Sequence, residues 1–121
     1  MRLVDDPEAG RWLEELEGCR EDFDWDDGNM EKNRKHGVEA KDIEAMFGRT
    51  MVLGGRIVEP ASNEPRWIVL GEDDARRKLA LIFTRRGQRV RAISCRSMRR
   101  NERRFYEDAI GSIEEDGEKG A

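Results

Sequence analysis

The chain has 121 residues, of which 36% are hydrophobic and 41% charged, with a formal net charge of −4. That length favours one domain with a small core, and no apolar run approaches the ~20 residues of a membrane span. The start, MRLVDDPEAG, lacks the apolar stretch of a secretory signal, and Cys19 and Cys95 stand far apart without metal-ligand neighbours. Two free thiols are expected before a single disulfide, and structural zinc is not expected.

Residues 1–6 read as a loose terminus. A short helix follows from about Pro7, with Asp6 as cap and Trp12, Leu13 and Leu16 as its apolar stripe; Gly10 weakens it. FDW at 23–25 alternates as a short strand does. Asp26 or Asp27 then caps a helix that runs to about His36. Gly37 sits where a left-handed cap is needed, and Lys32, Arg34, Lys35 and His36 suit the helix dipole. A second helix, Ala40 to Phe47, carries Ile43, Met46 and Phe47 on one face and ends at Gly48. MVL at 51–53 and RIVE at 56–59 flank Gly54-Gly55, which reads as a hairpin turn. After a loop at 60–65, RWIVLG at 66–71, KLALIFT at 78–84 and RVRAISCRS at 89–97 read as strands, with RRGQ turning between the last two. MRRNERRFYEDAI at 98–110 is a helix with a basic face, docked by Phe105, Ala109 and Ile110. The polar, glycine-containing remainder is expected to be disordered. The order predicts a small α+β fold, with N-terminal helices packed on an antiparallel sheet and a C-terminal helix. Three parts are expected: an acidic, partly helical extension at 1–22, the domain at 23–110, and an acidic tail at 111–121.

The modest net charge hides a segregation. Between Ala75 and Tyr106 there are twelve Lys/Arg and one acid, Glu102, a net of +11. The stretches 1–22, 23–74 and 107–121 each carry −5. A 32-residue block this basic suits a nucleic-acid partner. The acidic ends raise the idea that they fold over the block and mimic RNA.

In chain order the sequence carries FDWD at 23–26, NRKHGV at 33–38, RWIVLG at 66–71, IFTRRG at 82–87, RVRAIS-R at 89–96 and ER-x-x-Y at 102–106. This ordered set resembles the BrnT toxins of type II toxin–antitoxin pairs, over about residues 23–107. It departs from their pattern at Asn29, where a lysine is common, at Ala40, where an aromatic is usual, and at Cys95, Ser97 and Met98. The resemblance implies a RelE-like ribonuclease fold, metal-independent RNA cleavage without a cofactor, and growth arrest in the cytoplasm. It also implies a BrnA-like ribbon-helix-helix antitoxin, in a hetero-oligomer that binds operator DNA through the antitoxin.

RNA cleavage without a metal must deprotonate the 2′-hydroxyl, protonate the 5′-oxygen, stabilise the phosphorane and hold the phosphate in line. Arginine suits the phosphorane because its fork pairs two oxygens and stays charged. Arg96, at the end of the last strand, is the first candidate, against one more solvated base; Arg86 and Arg91, flanking the preceding hairpin, read as phosphate-binding groups, as fold-supporting salt bridges or as solvated bases. Arg99, Arg100, Arg103 and Arg104 on the last helix read as RNA backbone contacts or as the surface that meets an acidic antitoxin, and Lys35 reads as a phosphate contact or as a solvated base. His36 reads as general acid or base, as a helix-end charge, or as a contact to substrate or antitoxin. Glu102 reads as a base, or as an ion-pair partner of Arg99 or Arg103. Tyr106 reads as a base-stacking or phosphate-binding group, or as packing; Trp25 and Trp67 read as core. The competing functions are a catalytically inactive nucleic-acid or protein-binding module and, behind it, a DNA-binding regulator without helix-turn-helix spacing.

Overall fold

The computed structural model describes residues 1–16 and 23–119, with backbone only for 112–119. Its elements are β1 (Arg2–Val4), α1 (Pro7–Leu16), α2 (Asp27–Arg34), α3 (Ala40–Met46), β2 (Val52–Glu59), β3 (Arg66–Glu72), β4 (Lys78–Arg86), β5 (Arg89–Ser97) and α4 (Arg100–Lys119). The strands form one antiparallel sheet in the order β1-β2-β3-β4-β5. The α+β fold expected from the order of elements is therefore present.

The period of two along each strand sorts side chains onto two covered faces. Val69, Leu79, Leu81, Phe83, Val90, Ala92 and Cys95 pack with Leu13 and Leu16 of α1 and with Val38, Ile43, Met46 and Phe47 around α3. Ile68, Leu70 and Ala80 face the other way and pack with Met98, Tyr106 and Ile110 at α4. Because both faces are buried, β3 and β4 read as near-continuous apolar runs.

Five sequence expectations need correction. Residues 1–6 are not loose: Arg2–Val4 pair with Arg56, Ile57 and Glu59 as an edge strand. Gly54-Gly55 is not a hairpin turn but an irregularity inside a continuous β2. A Cβ on Gly55, at φ 142°, would stand 2.8 Å from the Val4 carbonyl, and one on Gly54 would stand 2.9 Å from Ile68 Cγ2. The glycines admit β1 and β3 at close range, which is the other reason a strand uses glycine. FDW forms no strand; Phe23 makes a single parallel bridge to Val90, and its ring stacks on Trp25 at 5.8 Å. Helix α4 runs on to Lys119, through the stretch expected to be disordered. Finally, Phe105 is exposed at 51%, so Tyr106 docks the helix in its place, beside Ile110 as expected.

The outer edge of β5 is closed by α2. Asp26 caps this helix in a reciprocal box: the Asn29 amide donates to Asp26 Oδ1 at 2.9 Å and the Asp26 amide donates to Asn29 Oδ1 at 2.8 Å. Asn29 Nδ2 then donates to Ala92 O at 3.3 Å. One turn on, Asn33 Oδ1 accepts from the Cys95 amide at 2.9 Å. Two asparagines thus satisfy backbone groups that an open edge would expose. Gly37, at φ 74°, ends the segment in the left-handed conformation its position predicted.

Candidate active site

Arg96 lies opposite Ala80 on β4, so it stands on the sheet face that α4 covers. After Ser97 the chain turns into α4, and Glu102 falls on the third helical position. There its Oε1 accepts from the Arg99 amide at 2.7 Å, the reciprocal half of a capping box. The same carboxylate takes both ends of the Arg96 guanidinium, Nη1 to Oε1 at 2.6 Å and Nη2 to Oε2 at 3.0 Å. Arg96 Nη1 also donates to Ser97 O at 3.3 Å. The two side chains are 20% and 14% exposed.

Burial pushes the Glu102 carboxyl up. The Arg96 fork and the Arg99 amide outweigh it, and the group ends below the usual glutamate range. Arg96 is raised, first by the hydrogen bond to Glu102 and against the cost of burial. Three of its five N–H donors are engaged among the described residues. The remaining two, Nε–H and the second Nη2–H, lie side by side on the other edge of the guanidinium plane. That edge can hold two oxygens of a phosphate while Glu102 keeps the far edge fixed. Glu102 was expected to pair with Arg99 or Arg103 by helical spacing. It pairs with the Arg96 side chain instead, because the turn folds β5 back beside the helix start.

Arg99, just before α4, and Arg100, Arg103 and Arg104 in its first turns are exposed. Arg86 and Arg91 gather elsewhere. Arg86 binds Glu64 at 3.1 Å and lies 3.8 Å from Asp24; Arg91 binds Asp26 at 2.7 Å and lies 3.6 Å from Asp24. Hydrogen bonding to Glu64 raises Arg86, and the Asn29 amide followed by Arg91 lowers Asp26. This cluster ties the β4–β5 turn to the start of α2. It stands about 16 Å along β5 from Arg96, at the usual rise per residue. Tyr106 is 5% exposed and packed with Met98 and Ile68, which leaves its ring no open face for a base. Trp67 packs beside the core as expected, and its Nε1 donates to Asp6 Oδ2 at 2.8 Å. His36 and Lys35 are exposed on the turn after α2, with the His36 amide donating to Asn33 O at 3.0 Å. Asn33 binds the amide of Cys95, whose side chain faces the α3-covered core, whereas the Arg96 side chain stands on the α4-covered face; no hydrogen bond joins His36 to the Arg96–Glu102 pair among the described residues.

Half of the basic block is compensated within the fold. Arg76, Arg77, Lys78, Arg86, Arg91 and Arg96 pair with Glu72, Asp42 and Asp73, Glu107, Glu64 and Asp24, Asp26, and Glu102. Arg85 covers the Trp12 ring at 4.5 Å. Among the described residues, none of these acids comes from the first sixteen, which is where the mimicry idea placed one of its covers. Within the block, the exposed cations for which no ion pair is found among the described residues are Arg89 on β5 and Arg99, Arg100, Arg103 and Arg104 at the start of α4. Among the described residues no group of His, Cys, Asp and Glu is arranged to hold a metal ion. No helix there is long and apolar enough to cross a membrane.

Fold and site together define a small α+β protein whose exposed positive charge borders a half-buried arginine–carboxylate pair. A family model described as "Ribonuclease toxin, BrnT, of type II toxin-antitoxin system" matches residues 25–102. The match covers more than half of the chain and includes both Arg96 and Glu102, so the chain belongs to the BrnT family of ribonuclease toxins. Among solved structures it is similar to the 1.1 Å crystal structure of the Brucella abortus ribonuclease toxin BrnT. Identity is 24%, the alignment covers 64% of this chain and 96% of that one, and the TM-score is 0.45. No curated protein sequence matched.

Proposed function

We propose that this chain is a metal-independent endoribonuclease that cleaves RNA by attack of the 2′-hydroxyl on the adjacent phosphorus. The 2′-oxygen forms the new bond to phosphorus and the bond to the 5′-oxygen breaks, leaving a 2′,3′-cyclic phosphate and a 5′-hydroxyl. The proton leaves the 2′-hydroxyl for a base and another reaches the 5′-oxygen from an acid. Arg96 stabilises the phosphorane through its free edge, and Glu102 acts as a positioning residue that holds the guanidinium. A lowered pKa and three accepted hydrogen bonds make Glu102 a poor general base. His36 is the candidate base or acid, with Lys35 beside it. Arg99, Arg100 and Arg103 hold neighbouring phosphates. In the cell, cleavage arrests growth in the cytoplasm. A BrnA-type ribbon-helix-helix antitoxin neutralises the toxin, and the hetero-oligomer binds operator DNA through that antitoxin.

The single observation that carries this reading is the half-buried Arg96 held by Glu102 with a two-donor edge to spare. Arg96→Ala is expected to lower cleavage by roughly 10²–10³-fold, the cost of one lost oxyanion donor. Arg96→Lys, which keeps the charge and loses the fork, should recover little. The readout is a denaturing gel of a defined RNA with end analysis, in excess chelator, alongside circular dichroism for the fold. Cleavage by Arg96→Ala at the parent rate would overturn the assignment. Tight binding of RNA that stays intact would make the chain a binding module instead.

A further inference from the structure

Beside the Arg96–Glu102 pair lies a cleft of about 260 Å³. Its apolar floor is Ile68 and Leu70, its walls are Leu3 of β1 and Phe105 of α4, and its polar side is Asn101 with Glu102. Leu3 is 40% and Phe105 51% exposed, and these are two of the three large hydrophobic residues left exposed among those described. Neither lies in the family-matched segment 25–102. Asn101 and Phe105 are four residues apart, and Glu102 and Phe105 three, so all three project from one face of α4. The wall is therefore a regular helical pattern and not an accident of a loop.

We infer that this cleft is a nucleobase subsite, in which Phe105 stacks on a base of single-stranded RNA and Asn101 meets the polar edge of that base. The inference rests on the RNA-cleaving reading of the Arg96 site and extends it to how the strand is seated. A nucleobase has two apolar faces and a rim of donors and acceptors. The cleft offers one aromatic ring, an aliphatic floor and one amide, which match it part by part. The charges around it decide the occupant. Arg99, just before α4, and Arg100, Arg103 and Arg104 on the same turns stand exposed, where the phosphates on either side of a seated base fall. Glu102 touches both the cleft and Arg96, so a base held here brings its own phosphate towards the free edge of the guanidinium.

The test uses a 2′-O-methyl single-stranded oligonucleotide of mixed sequence, which cannot be cleaved, and a fully abasic strand of the same length. Binding to the whole chain is read by fluorescence anisotropy over a range of salt. Phe105→Ala and Phe105→Leu are expected to weaken binding to the mixed strand by roughly 10-fold, the worth of one stacked base, with an unchanged salt slope. Phe105→Trp should keep parent affinity, and all forms should bind the abasic strand alike. Parent-like affinity of Phe105→Ala or Phe105→Leu for the mixed strand would overturn the subsite, and so would an equal loss on the abasic strand. Unchanged RNA affinity with weakened antitoxin binding would assign the cleft to the protein partner. Failure of the parent chain to bind RNA at all removes the RNA-cleaving reading and the subsite together, a result distinct from the other three.

Discussion

Glu102 was the lone acid in a basic block, and position in the chain could not say which arginine it served. Helical spacing offers Arg99 and Arg103, but the helix presents the carboxylate towards the sheet, where Arg96 stands on β5. The pairing has a consequence for acid stability. The folded carboxyl lies below its unfolded value, so it stabilises the fold above about pH 4.3, and that contribution disappears as pH falls through the lowered value. Glu102→Gln is expected to be about 1–2 kcal/mol less stable than the parent at neutral pH and to converge with it in acid. Urea midpoints taken across that range measure the convergence; curves that stay parallel would show that the carboxylate charge does not matter. Cys95 illustrates the reverse case. Sequence spacing marked it as a free thiol, and the structure buries it, with burial pushing the group up to about 12. Cys19 lies outside the described residues. Tyr106 and Phe105 are neighbours with exchanged fates, since one residue along a helix turns the side chain by about 100°.

At the scale of elements, α2 does more than cover apolar surface. Its buried residues are Asn29 and Asn33, and both bind the backbone of β5. The Asn29 side chain completes a capping box and an edge contact. Asn33→Ala leaves the buried Cys95 amide without its partner, and the expected cost is about 2–3 kcal/mol. Urea unfolding measures that cost, and faster hydrogen exchange at the Cys95 amide locates it; a change below about 0.5 kcal/mol would mean that water replaces the side chain. The helices were legible from their caps: Asp6, Asp26 and Gly37 act where they were expected to. The glycine pair of β2 misled because its reason lies across the sheet, in Val4 and Ile68, and not in the local chain.

For the whole molecule, the +11 of the block is not the charge an RNA meets. Six of its twelve cations are spent on acids, mostly from residues 24–74, and the exposed remainder concentrates on α4. Salt dependence separates the two populations. Replacing Arg103 and Arg104 together by alanine is expected to lower the slope of log affinity against log salt by about 1–2. Arg86→Ala should leave the slope near the parent value, because Glu64 and Asp24 already neutralise that guanidinium. Equal effects from both replacements would mean that the pairs open when RNA binds.

The sequence by itself determined the α+β order, the helix caps, the positions of β3, β4 and β5, and the basic block. Each of these is written in short-range periodicity, in turn chemistry or in counting. Only the tertiary structure decided that β1 joins the sheet, that Arg86 and Arg91 stand apart from Arg96, and that Glu102 grips Arg96. It also set Phe105 and not Tyr106 over an open cleft. Those facts depend on which strand edge meets which helix face, and such long-range meetings leave no mark in local spacing: Leu3 and Phe105, which line one cleft, lie 102 residues apart in the chain.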